Sequence, residues 1–98
     1  MNSEKSMDLQ DKRQDILRIA ASHGARNIRL FGSAARGEDR PGSDVDLLVE
    51  MESDRSLLDL VALGQDLEEL LQRKVDVLTD SSVHPAIRPY VLADARPL

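Results

Sequence analysis

The 98-residue chain carries 13 Lys and Arg against 18 Asp and Glu, a formal net charge of -5, and its length suits one domain spanning residues 1–98. That balance disfavours a module whose affinity comes from cations displacing counterions along a nucleic-acid backbone, so no direct nucleic-acid binding is expected. The absence of cysteine excludes a disulfide framework, a zinc-thiolate site and a thiol nucleophile.

The N-terminal segment alternates charges with aliphatics and has no apolar run of signal-peptide length, and nothing is long enough to span a bilayer. The expected setting is the cytoplasm, without membrane association. Leu9, Ile16, Leu17, Ile19 and Ala20 recur on one helical face, and Gly24 after His23 is a stop signal, which predicts a helix over 7–23. Residues 27–31, with Ile28, Leu30 and Phe31, suit a short buried strand. Residues 33–37 fit a single helical turn, and 38–43 hold Pro41, Gly42 and Ser43, a turn signature. Val45, Leu47, Leu48 and Val49 then predict a second strand over 44–51.

Ser56, with Asp59 three residues on, reads as a helix cap with a favourable negative charge in the first turn. Leu57, Leu60, Val61, Leu63, Leu67, Leu70 and Leu71 follow at three-and-four spacing, which predicts a helix through Gln72 with these leucines as its core face. Residues 74–79, KVDVLT, are β-branched and alternating and predict a third strand. Residues 84–96 read as helical, but Pro89 forbids an uninterrupted run, so the helix starts near Pro85 or restarts at Pro89. Phe31 and Tyr90 are the only aromatics, too few for a base-stacking platform, and Tyr90 is assigned to core packing. His23 and His84 have no ligand spacing and are assigned helix-end or surface roles.

The order α, β, turn, β, α, β, α makes a small α+β (α/β-like) domain, a mixed sheet with flanking helices. The short link after the first strand favours an antiparallel pair, and the helix between the second and third strands suits a parallel crossover. This topology gathers Gly32, Ser33, Asp44, Asp46 and Asp76 at one rim. Strand side chains alternate faces, so Asp44 and Asp46 point one way while Val45 and Leu47 point into the core. Carboxylates so placed repel each other unless a cation lies between them. Three oxygen donors suit a hard ion such as Mg²⁺, which takes further ligands from substrate phosphates. A glycine lets the backbone approach an anion, and a Ser33 hydroxyl with amides at a helix start can hold phosphate oxygens. Phosphoryl chemistry with paired metals needs this combination of bridging carboxylates and a cradle for pyrophosphate. There is no Gly-Lys-Ser/Thr for a P-loop, and the glycines do not spell a dinucleotide fingerprint.

Gly32-Ser33, ten residues, then Asp44-Val45-Asp46 resembles the signature of nucleotidyltransferases with the DNA polymerase beta fold. The run GSAARGEDRPGSDVDLLVE followed by KVDVLT is most similar to the minimal nucleotidyltransferases, the MntA-like antitoxins. The resemblance covers about residues 28–79. It implies that Gly32 and Ser33 bind the triphosphate of ATP, that Asp44 and Asp46 coordinate two catalytic Mg²⁺ ions, and that Asp76 is the third carboxylate and helps to activate the attacking hydroxyl. Arg36 matches the group's Ala-Arg-Gly run and is assigned to the phosphates, whereas Ala34 stands where many relatives carry a larger polar residue. The activity implied is transfer of AMP to a tyrosine of a HEPN-domain ribonuclease toxin. Two rivals are an antitoxin that blocks its partner sterically and the catalytic subunit of an aminoglycoside-type transferase.

Overall fold

The computed structural model describes Leu9, residues 11–32, Ala35 and residues 44–98. Helix α1 spans Arg13–Ser22, starting later than the periodicity predicts. Asp11 and Lys12 form a turn, and Leu9 is buried from a turn as well, so its apolar phase reflects packing and not helix. His23 and Gly24 close the helix through backbone bonds to Ala20 and Ala21, both 3.1 Å, and Gly24 at φ 81° turns the chain into strand β1, Ala25–Phe31. The register slips between Arg26 and Arg29, where Asn27 takes φ 52° and its side-chain amide donates to Glu50 at 2.9 Å. Asparagine tolerates this conformation better than most residues.

Strand β2, Val45–Met51, lies between β1 and strand β3, Val75–Thr79; it runs antiparallel to the first and parallel to the second. Helix α2, Leu57–Leu71, makes the crossover. Its start is fixed by a capping box: the Ser56 hydroxyl accepts from Leu58 N–H at 3.2 Å, and Asp59 accepts from Ser56 N–H at 3.0 Å. Gln72, in the left-handed region at φ 56°, ends it. Ile16 and Ala20 of α1, and Leu63 and Leu67 of α2, pack with Leu30, Val45, Leu47 and Val49 into one core against one face of the sheet. The expected core face of α2 is met by Leu60, Leu63, Leu67, Leu70 and Leu71, whereas Leu57 and Val61 are exposed.

Leu48 points to the other face and is nevertheless fully buried, and Val83 is buried as well, so a smaller apolar layer covers part of that face. A 3₁₀ turn, Asp80–Ser82, contacts β2 there, and helix α3, Arg88–Asp94, contacts β1. Pro89 sits in the first turn of α3, which is the restart expected at that residue, while 84–87 form a turn in which His84 Nδ1 accepts from Ala86 N–H at 3.0 Å. A two-residue strand β4, Arg96–Pro97, pairs antiparallel with β1 and gives the sheet order β3-β2-β1-β4. Tyr90 is 74% exposed, against the expectation of core packing, since no residue of α3 is buried. Among the described residues no helix is long and apolar enough to cross a membrane.

Candidate active site

Asp46 is the second residue of the central strand, and its side chain lies on the face opposite the two long helices. Its neighbours follow from the register: Asp46 is opposite Asp76 in the parallel pairing with β3, and opposite Phe31 in the antiparallel pairing with β1. Directly opposed residues of neighbouring strands share a face, so the Asp46 and Asp76 carboxylates stand side by side. Asp44 lies just before the strand on the same side, with the chain held there by Val45 N–H donating to Lys74 C=O at 2.9 Å.

Gly32 completes the row at the end of β1. Its φ of 74° is a conformation that only glycine adopts freely, and a Cβ placed on it would meet Asp46 Oδ2 at 2.7 Å. The space that a side chain would occupy is therefore taken by a carboxylate. Gly32 C=O accepts from Ala35 N–H at 3.2 Å, closing a turn immediately beyond the row. Ser33 and Arg36, the turn expected over 33–37 and the Pro-Gly-Ser segment lie outside the described residues.

The electrostatics agree with the geometry. Partial burial first, and then the negative charges of Asp76 and Asp44, push the Asp46 carboxyl above its ordinary range. The order matters, because a half-buried carboxylate with two like charges nearby favours whatever neutralises it. Among the described residues no group of three or more acidic or histidine side chains is gathered closely enough to hold an ion. The three aspartates thus share a rim without closing into a cage. Their chemistry still fits a hard cation that draws its remaining ligands from phosphate and water, since such ions seldom rely on an all-protein shell.

A residue of this face that the strand pattern did not single out is Arg29, which lies opposite Leu48. Its side chain is 13% exposed and donates to Asp80 Oδ1 at 2.7 Å, so its charge is committed to the 3₁₀ turn. The one available signal was an arginine in the middle of an apolar strand. His23, at the end of α1, bonds Asp66 of α2 at 2.7 Å, the helix-end role expected of it.

A family model described as nucleotidyltransferase domain matches residues 13–97. The chain belongs to this family. A nucleotidyltransferase relative from Methanocaldococcus jannaschii, which carries the provisional name protein adenylyltransferase, is 43% identical over 91% of this chain and 96% of its own length. The protein adenylyltransferase MntA of Thermococcus cleftensis is 44% identical over 72% of each chain. Among solved structures, one described provisionally as a minimal nucleotidyltransferase is 44% identical, with a TM-score of 0.83 over 100% of this chain and 97% of that one. A toxin-antitoxin complex with AMP-PNP shares the fold at 22% identity, with a TM-score of 0.73 over 86% of this chain and 69% of that one. The mixed sheet and its helices are thus those of a minimal nucleotidyltransferase, and the chain is an enzyme of that class.

Proposed function

We propose that this nucleotidyltransferase moves AMP from ATP to a hydroxyl of a partner protein, and that the partner is a HEPN-type ribonuclease toxin modified on tyrosine. The observation that carries the reading is the row Gly32, Asp46, Asp76, in which a positive-φ glycine stands directly against one of two paired carboxylates. The names of the relatives, protein adenylyltransferase among them, support a protein acceptor, and the resemblance to MntA-like antitoxins supports the toxin. The toxin-antitoxin complex that shares the fold contains AMP-PNP, in keeping with an adenine nucleotide as donor.

In the proposed reaction the acceptor oxygen forms a bond to the α-phosphorus of ATP, the bond from that phosphorus to the bridging oxygen breaks, and pyrophosphate leaves. Gly32 and Ser33 hold the triphosphate through backbone amides and the hydroxyl, with Arg36 at the phosphates. Asp44, Asp46 and Asp76 are the residues that would hold Mg²⁺, which when bound supplies positive charge for the triphosphate and the leaving group. Asp76, exposed at the sheet edge, would orient the acceptor hydroxyl and take its proton. The working place of such an enzyme is the cytoplasm.

The test separates an enzyme from a steric plug. With Mg²⁺ and ATP, a substoichiometric amount of the chain is expected to add the mass of one or more AMP units to the toxin. Its ribonuclease activity should then stay suppressed after the two proteins are separated. Asp44→Asn should add none. A toxin that is neutralised only at equal stoichiometry, without nucleotide and without gain of mass, refutes the proposal.

A further inference from the structure

A groove of about 460 Å³ runs between α2 and the outer edge of β3. Its origin is local: α2 presents Gly64 toward Val77, where an added Cβ would already stand in ordinary contact at 3.7 Å from the nearest methyl, so helix and strand face each other here with no helix side chain between them. Leu57, Val61, Val77 and Leu78 make its walls largely apolar. Two of its walls from the first turns of α2 are open to solvent, Leu57 72% and Val61 48% exposed. The cap of α2 does not need leucines there, because Ser56 and Asp59 already fix the helix start.

Two features identify what covers the groove. Asp76 lines it and also belongs to the carboxylate row, so the groove adjoins the reacting rim at the edge of β3. The charged residues of the lining, Glu68 and Asp76, are both acidic, and no Lys or Arg is among them. A second copy of a chain with a net charge of -5 would meet this lining with like charge. We infer that the groove between α2 and β3 seats a segment of the acceptor protein, apolar side chains flanked by Lys or Arg, and so delivers its hydroxyl to Asp76. The inference rests on the transferase reading above.

Two variants test it. Gly64→Leu fills the groove floor while replacing a poor helix former by a good one, and Val61→Lys places a positive charge on an exposed wall position. The probe is a purified HEPN-type ribonuclease toxin. Incorporation of AMP is followed to obtain kcat and KM, alongside the thermal stabilisation by Mg²⁺ and ATP and the molar mass by light scattering. In each variant KM for the protein acceptor is expected to rise tenfold or more, while kcat and the nucleotide-dependent stabilisation stay within twofold of the parent. An unchanged KM in both variants, with a parent that transfers AMP, overturns the groove and leaves the transferase reading intact. A parent that binds nucleotide but transfers nothing overturns that reading, and the groove with it. Loss of nucleotide stabilisation in both variants, or a parent dimer that either variant breaks, assigns the groove to another occupant and overturns the inference.

Discussion

Gly32→Ala, compared with Gly24→Ala, puts a number on the closeness of β1 to Asp46. Both glycines have positive φ, 74° and 81°, and both would bring a Cβ against a side chain. A non-glycine residue in the left-handed region costs about 1–2 kcal/mol, and for a domain of this size each kcal/mol lowers Tm by roughly 4–8 °C. Each variant should therefore melt about 4–16 °C below the parent. The collisions themselves add little to stability, because in both cases a flexible side chain can rotate away. At Gly24 that side chain is Arg55, whose Cγ and Cδ stand 2.6 and 2.8 Å from the added carbon. At Gly32 it is the Asp46 carboxylate, at 2.7 Å. Displacing Arg55 disturbs an exposed ion pair with Glu52 at the opposite end of β1. Displacing Asp46 moves a proposed metal ligand by most of an ångström, a misplacement that costs on the order of a hundredfold in rate. Circular dichroism melts and AMP incorporation on the same preparations are the assay. Equal activity in the two variants would refute the argument that Gly32 is there for Asp46, and an undiminished Tm in both would refute the backbone part of it.

Asp46→Asn should raise Tm in metal-free buffer at neutral pH, although it should abolish transfer. The folded protein holds the Asp46 carboxyl above its ordinary range, so the native state binds the proton more tightly than the unfolded chain and loses stability as pH rises through that window. The gain from the amide should accordingly shrink as pH falls below it, which melts of parent and variant from pH 3 to 8 in EDTA would follow (~3 to ~8 being the range around the ordinary carboxylate value). Ser56→Ala removes the acceptor of the Leu58 N–H bond at 3.2 Å and should cost about 1 kcal/mol, read as a lower urea midpoint, with AMP transfer per folded molecule unchanged.

The strands were legible because their residues alternate or bury as a block. Val45, Leu47 and Val49 are core on one side, and Leu48 is buried on the other, as a central strand requires. The antiparallel and parallel pairings followed from the lengths of the links, and with them the neighbourhood of Asp46 and Asp76. The cap at Ser56 was legible because its partner Asp59 is three residues away. What escaped depends on distant packing. Strand β4 has only two residues and exists because β1 has a free edge, while Leu98 N–H bonds Ile28 C=O at 3.1 Å. Tyr90 and Leu57 have core composition, but whether such residues are covered is decided by what lies opposite, and nothing in their own spacing records it. The glycine signal was read as room for a phosphate; its closeness to Asp46 Oδ2 needed three dimensions.

The carboxylate rim is a cost to the fold, which explains why it stands where it does. Asp46 is half-buried beside two like charges, and a site of that kind is tolerated only on an element whose position is secured by other means. Strand β2 is that element: it has a hydrogen-bonded neighbour on each side, and Val45, Leu47, Leu48 and Val49 are at most 1% exposed. The residues that hold the strand are thus interleaved with those that would do chemistry on it, and substitutions at adjacent positions should have opposite effects. Val45→Ala should lower stability by ~1–3 kcal/mol through a cavity in the core, yet leave the surviving folded molecules active. Asp46→Asn, one residue on, should do the reverse, raising stability without metal and removing activity. Urea denaturation and AMP transfer on the two variants decide the matter. A Val45→Ala enzyme that is fully folded and inactive would mean that strand position and site chemistry cannot be separated along β2, and the division of labour drawn from the burial pattern would be wrong.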